Sequence, residues 1–136
     1  MKLNNQEIWL AYPNLENLAR LNLPSKTSLG IAILVSKLRA PYMVIDGERQ
    51  KLVHKYGKLD PQAKTISVRY DNENAGEFAR EFGEMLIKDW PDDFILDKVK
   101  LPDKVWATCK KCGHIEETPF LIDANTLVPL KDKFIE

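Results

Sequence analysis

Cysteine and histidine are scarce, with two of each in 136 residues. Two cysteines cannot build the disulfide framework on which small secreted domains depend. The six glycines are scattered singly, so there is no glycine-rich loop to cradle a phosphate. A surplus of one charge is missing too. Twenty Lys and Arg balance twenty Asp and Glu, which argues against a general binder of nucleic acid or anionic membrane. No uninterrupted apolar run approaches the roughly 18 residues that cross a bilayer. The opening MKLNNQEIWL lacks the apolar stretch of a secretory signal. These absences lead to the expectation of a cytoplasmic protein with no membrane partner.

What remains is an ordinary globular composition, 44% hydrophobic and 29% charged, in a length that fits one domain over residues 1–136. Charge alternates in blocks. Residues 1–58 carry nine positive and four negative groups, 59–97 four and ten, 98–114 five and one, and 115–136 two and five. Blocks of opposite sign are expected to complement one another within the fold or across a dimer.

The stretch Ser25–Tyr56 carries the strongest pattern. Ile31, Leu34, Leu38, Tyr42, Ile45, Leu52 and Tyr56, with Arg49 in the one polar slot, recur at steps of three and four. That spacing predicts a long amphipathic helix or two laid end to end, with Pro41 and Gly47 as possible interruptions. Ser25, Thr27 and Ser28 are candidate N-caps, and Gly57 is a candidate left-handed stop. Before it, Asn5 to Asn22 predicts a helix bent or restarted at Pro13 and ended by Pro24.

After Asp60-Pro61, strict alternation over Lys64–Tyr70 predicts a half-buried strand with Ile66, Val68 and Tyr70 on one face. Asn74 and Glu77 have capping-box spacing, followed by helical Phe78, Phe82, Met85, Leu86 and Trp90 up to Pro91. Phe94–Leu101, Val105–Ala107 and His114–Ile122 read as short strands, and Thr126–Glu136 as a terminal helix. Trp9, Trp90 and Trp106 are expected in the core. The expected fold is α+β: an N-terminal helical hairpin or bundle with a long central helix, a further helix, and a small antiparallel β-hairpin region at the C-terminal end. The helical part covers about 1–90 and the β-rich part about 91–136.

One local motif carries chemistry, Cys109-Lys-Lys-Cys112-Gly-His114. A C-x-x-C-G turn between strands can present two thiolates to a tetrahedral zinc ion, with His114 as a third ligand and the distant His54 or a second chain completing the set. Lys110 and Lys111 favour the thiolate forms. The same residues also read as a plain hairpin turn or a redox dithiol. The redox reading is weakened because the following Gly113–Pro119 is poor helix. The carboxylates Glu73, Glu77, Glu81, Glu84, Asp89, Asp92 and Asp93 follow a helix surface and a loop, and catalytic residues are not assigned. No cofactor other than possible zinc is implied.

Certain motifs run nearly end to end. They are the opening Met-Lys-Leu-Asn-Asn-Gln-Glu-Ile (1–8), Leu-Asn-Leu-Pro-Ser-Lys (21–26) before the long helix, and Arg49, Leu52 and Lys55-Tyr56-Gly57 at its end. Glu77-Phe78 with Glu81 and Glu84, Leu130-Lys131 and Phe134-Ile135-Glu136 complete them. In these features the chain resembles a family of small, functionally uncharacterised proteins encoded by tailed bacteriophages and prophages. The resemblance implies a phage-encoded accessory protein in the host cytoplasm, with no catalytic residues to transfer. The Cys109–His114 turn is not part of that pattern.

Two functions follow as expectations. The first is a non-enzymatic protein that self-associates, and binds a phage or host protein, through an exposed part of the 25–56 stripe. The second is a zinc-knuckle nucleic-acid-binding or regulatory module over residues 98–114, where Lys98, Lys100, Lys104, Lys110 and Lys111 gather near Trp106. Of the two, nucleic acid is the less favoured partner.

Overall fold

The computed structural model describes residues 1–69, 71–108, 113 and 115–136. The fold is α+β: α1 (Asn5–Ala19), α2 (Ser25–Tyr56), β1 (Lys58–Asp60), β2 (Thr65–Ser67), α3 (Ala75–Leu86), β3 (Lys104–Thr108), β4 (Ile115–Pro119) and α4 (Ala124–Leu127). The strands form two separate antiparallel hairpins, β1–β2 and β3–β4. Two compact units share these elements: Met1–Trp9 with Arg39–Phe94, and Leu10–Leu38 with Ile95–Glu136. Helices α1 and α2 contribute to both.

Helix α2 is unbroken over 32 residues, through both Pro41 and Gly47. Burial decides this. Ile31, Leu34, Leu38, Ile45 and Val53 are all buried along one side. At about 1.5–3 kcal/mol for each such side chain, five contribute roughly 8–15 kcal/mol. An interior proline costs about 3 and a glycine about 1 kcal/mol. Helix α1 likewise runs through Pro13 without a restart. Pro13 removes one main-chain donor, and Asn14 Nδ2 adds one at the neighbouring Leu10 carbonyl (2.8 Å).

In the first unit the N-terminus of α1 is closed by a reciprocal capping box. Asn4 Oδ1 accepts from the Glu7 N–H (2.8 Å), and Glu7 Oε1 accepts from the Asn4 N–H (3.1 Å). The box expected at Asn74–Glu77 does not form, because the Asn74 side chain makes no cap bond and Glu77 pairs with Arg80. Trp9 stacks on Tyr42 at 5.1 Å, meets the edge of Phe82 at 5.6 Å, and lies under the Arg49 guanidinium at 5.8 Å. The polar slot in the α2 stripe is therefore filled by a cation over an aromatic face.

Helix α3 stops at Leu86 instead of continuing to Trp90. The following segment pairs with the chain start: Asn5 N–H to the Lys88 carbonyl (2.8 Å), Trp90 N–H to the Leu3 carbonyl (2.8 Å) and Phe94 N–H to the Met1 carbonyl (2.9 Å). These long-range bonds take the main-chain groups that a longer helix would need.

The strand expected over 64–70 shortens to Thr65–Ser67, with Tyr70 outside the described residues. Its partner β1, in register Leu59↔Ile66, was not signalled by periodicity because three residues are too few to alternate visibly. Gly57 is needed here, but not for a left-handed φ, since none is recorded for it. A Cβ at Gly57 would strike the Val53 carbonyl and come within 2.9 Å of both Ile66 Cγ2 and the Ser67 carbonyl. Close approach of β2 to the end of α2 requires the missing side chain.

In the second unit α1 and α2 bury Tyr12, Leu15, Leu18, Ile31, Leu34 and Leu38, and the C-terminus buries Leu130, Phe134 and Ile135. Thr27 does not cap α2. Its hydroxyl donates to the Lys100 carbonyl at 3.4 Å, while the Ser28 N–H takes the Pro24 carbonyl (2.9 Å). Phe94–Leu101 is not a strand: only Val99 pairs, in a single parallel bridge with Ile135. The terminal helix begins earlier than its periodicity predicts. Asp123 caps it through the Asn125 N–H (3.1 Å), and it ends in a 3₁₀ turn over Val128–Leu130. Left-handed Asp132 (φ 75°) then turns the chain so that Phe134 reaches the core.

Gly57→Ala is expected to lower stability by about 1–3 kcal/mol through overpacking against backbone. Gly47→Ala, where an added Cβ meets nothing within 4 Å in mid-helix, is expected to raise it by about 0.5–1 kcal/mol. Urea titration of both variants measures the pair.

Candidate functional site

Cys109, Cys112 and His114 lie outside the described residues. His54 is exposed near the end of α2. Among the described residues, no three His, Cys, Asp or Glu side chains are placed to hold a metal ion. Trp106, expected in the core, is 65% exposed on β3, where it faces Glu117 across the ladder. A two-stranded hairpin has too few neighbours to bury a residue of that size.

The carboxylates of the acidic helix each meet a cation. Glu77 and Glu84 clamp Arg80 from both sides (2.8 and 2.9 Å), and Glu81 reaches Lys55 at 3.5 Å. In the shallow hollow lined by Glu48, Glu81, Glu84 and Lys88, Glu48 likewise takes Lys51 at 2.9 Å. The Tyr56 phenol, and after it the Lys55 ammonium, hold the Glu81 carboxyl below its usual range. Glu81 is the least exposed of these salt-bridged side chains, at 28% with Oε2 out of solvent. The others are half or more exposed, so their pairs act mainly as local orientation.

Helix α2 is apolar on two opposite sides. The side read from the 3.6-residue period is the packed one: Ile31, Leu34, Leu38 and Ile45 are buried, and Tyr42, Leu52 and Tyr56 half-buried. The surplus expected on that stripe is therefore absent from it. Instead Leu29, Ala32, Ile33, Ser36, Ala40, Met43, Val44 and Gly47 are all exposed. At 100° per residue these eight fall within an arc of about 120°, opposite the buried side, with no charged residue among them. Leu29 is 63% and Met43 56% exposed. Lys37, whose Nζ donates to the Ile95 carbonyl, and Arg39 flank the arc. The two-sided pattern gives α2 a stretch of 18 residues with mean hydropathy 1.4, long and apolar enough by composition to cross a membrane; a third of it (33%) is buried in the fold.

A cleft of about 600 Å³ opens in the second unit beside the first turns of α2. Lys26, Thr27, Gly30 and Ile33 form one wall, and residues 97–103 the other. Val99 packs directly on Gly30, where an added Cβ would meet Val99 Cγ2 at 2.9 Å. Three lysines (Lys26, Lys98, Lys100) and three carboxylates (Asp97, Asp103, Glu136) border an interior of Ile33, Val99, Leu101 and Pro102. Such a volume is typical of a ligand site. No motif in the sequence marks it, because its walls are separated by more than 60 residues.

The lowered Glu81 carboxyl has a measurable consequence. Its contribution to stability is complete above the ordinary glutamate value of 4.5 and is lost as pH falls through the lower folded value. The difference in melting temperature between the native chain and Glu81→Gln is expected to be constant above pH 4.5 and to close on further acidification.

Comparison with protein-family models, with characterised proteins and with solved structures yields no match to this chain.

Proposed function

We propose that the protein is a non-enzymatic interaction protein that self-associates through the outward arc of α2. In the setting implied by its resemblance to phage and prophage proteins, it would act as an accessory factor on a phage or host protein. The observation that carries this reading is the exposed, uncharged arc of eight residues from Leu29 to Gly47. Exposed apolar surface of that continuity is unfavourable in water and marks interaction sites. The small residues Ala32, Ser36, Ala40 and Gly47 lie along it among Leu29, Ile33, Met43 and Val44. Another helix can therefore approach closely and seat larger side chains between them.

Light scattering at tens of micromolar tests it. A species of twice the 15.6 kDa chain mass is expected. Ala40→Glu, which places a charge at the middle of the arc without touching the core, is expected to weaken association by at least about tenfold, or 1.4 kcal/mol, with unchanged helical content. A strictly monomeric native chain defeats self-association. Co-flotation of that monomer with lipid vesicles would assign the arc to a membrane instead.

A second reading keeps the zinc knuckle, on one observation. The β3–β4 ladder ends at Thr108↔Ile115, so the six residues 109–114 that carry Cys109, Cys112 and His114 join its two strands. A lone two-stranded hairpin is marginal in water, and a metal ion across its tip would secure it. Protein purified without chelator is then expected to hold about one zinc per one or two chains. Cys109→Ser should abolish it, and metal-free native protein would end this reading.

A further inference from the structure

The wall of the cleft formed by residues 97–103 leaves main-chain groups unused. Val99 directs its N–H to the Phe134 carbonyl (2.9 Å) and accepts the Glu136 N–H (3.1 Å). In extended backbone the groups of adjacent residues point to opposite edges. Lys98 and Lys100 thus present theirs on the edge away from Phe134–Glu136. The Thr27 hydroxyl fixes that direction, because it donates to the Lys100 carbonyl at 3.4 Å and both residues line the cleft. That bond is long and weak. Among the described residues the N–H and C=O of Lys98 and the N–H of Lys100 have no hydrogen-bond partner.

We propose that this cleft binds an extended peptide segment of a partner protein. The peptide pairs main chain to main chain with the Lys98–Lys100 edge and sets an apolar side chain against Ile33, Leu101 and Pro102. The donors and acceptors two residues apart repeat at roughly 6.5 Å, the spacing that a β-strand offers and compact small molecules do not. The rim decides against a polyion. Its three lysines and three carboxylates cancel, and none of the six is in an ion pair among the described residues. Main-chain pairing supplies affinity without regard to sequence, and the apolar interior supplies selectivity. This site is distinct from self-association: it lies on another side of α2, with Ile33 at the border of both.

The test starts from random linear heptapeptides selected by ribosome display on the full chain, resynthesised and titrated against ¹⁵N-labelled protein. Enriched peptides should share an apolar residue, and the Lys98 and Lys100 amides should show the largest shifts and slowed solvent exchange. Lys100→Pro removes one unpartnered N–H and constrains Val99 only to the extended form it already has. It should lower affinity by at least about tenfold, or 1.4 kcal/mol, while Lys98→Ala, which keeps the main chain, should change it less than about twofold. If Lys100→Pro fails to fold, N-methylation along the peptide replaces it. One methylated position should then abolish binding. Failure to select any binder overturns the proposal. So does a binder that tolerates methylation everywhere or shifts only the outward amides of α2.

Discussion

Helix α2 has to remain helical across a proline because side chains on both sides of Pro41 have nowhere else to go. Ile31, Leu34 and Leu38 belong to the core of one compact unit, and Ile45 and Val53 to that of the other. Each set needs helical spacing to stay buried in its own unit. The burial is worth several times the proline penalty, so the helix tolerates one missing hydrogen bond. The Trp9–Tyr42 stack joins α1 and α2 in the first unit, and leucines of both are buried in the second.

The same helix carries much of the surface on which the proposed interaction rests. The described titratable groups that depart from their ordinary behaviour are Lys55, Arg80 and Glu81, all in pairs that orient side chains on a helix surface. What stands out is unsatisfied surface of two kinds. One is apolar, the outward arc of α2. The other is polar main chain, the open edge at Lys98–Lys100. Each lacks what the other type of partner supplies: a helix face for the arc, an extended chain for the edge.

Periodicity made α2 and its inward stripe legible, because a 3.6-residue repeat over 32 residues is hard to produce by chance. It also made β2, β3, β4 and the acidic helix visible. The outward arc was equally present in the letters. Ala, Ser and Gly between the larger residues disguise it as the polar side of an amphipathic helix. Capping signals misled at Asn74, where spacing matched but the side chain went unused, and were missed at Asn4, where the box forms. Trp106 shows a further limit: an aromatic residue in an alternating strand reads as core, yet two strands alone cannot cover it.

The sequence by itself determined the α+β class, the helical character of residues 25–56, which side of that stretch is buried, and the placement of the acidic helix, since all of these depend on local spacing and propensity. Tertiary structure alone decided the rest. It carried α2 through Pro41, stopped α3 at Leu86 by pairing the next segment with Met1–Asn5, and turned Phe134 inward past a left-handed Asp132. It also brought residues 97–103 against Gly30 to form a cleft. These outcomes depend on contacts between residues far apart in the chain, whose free energies outweigh local preferences and leave no local pattern to read.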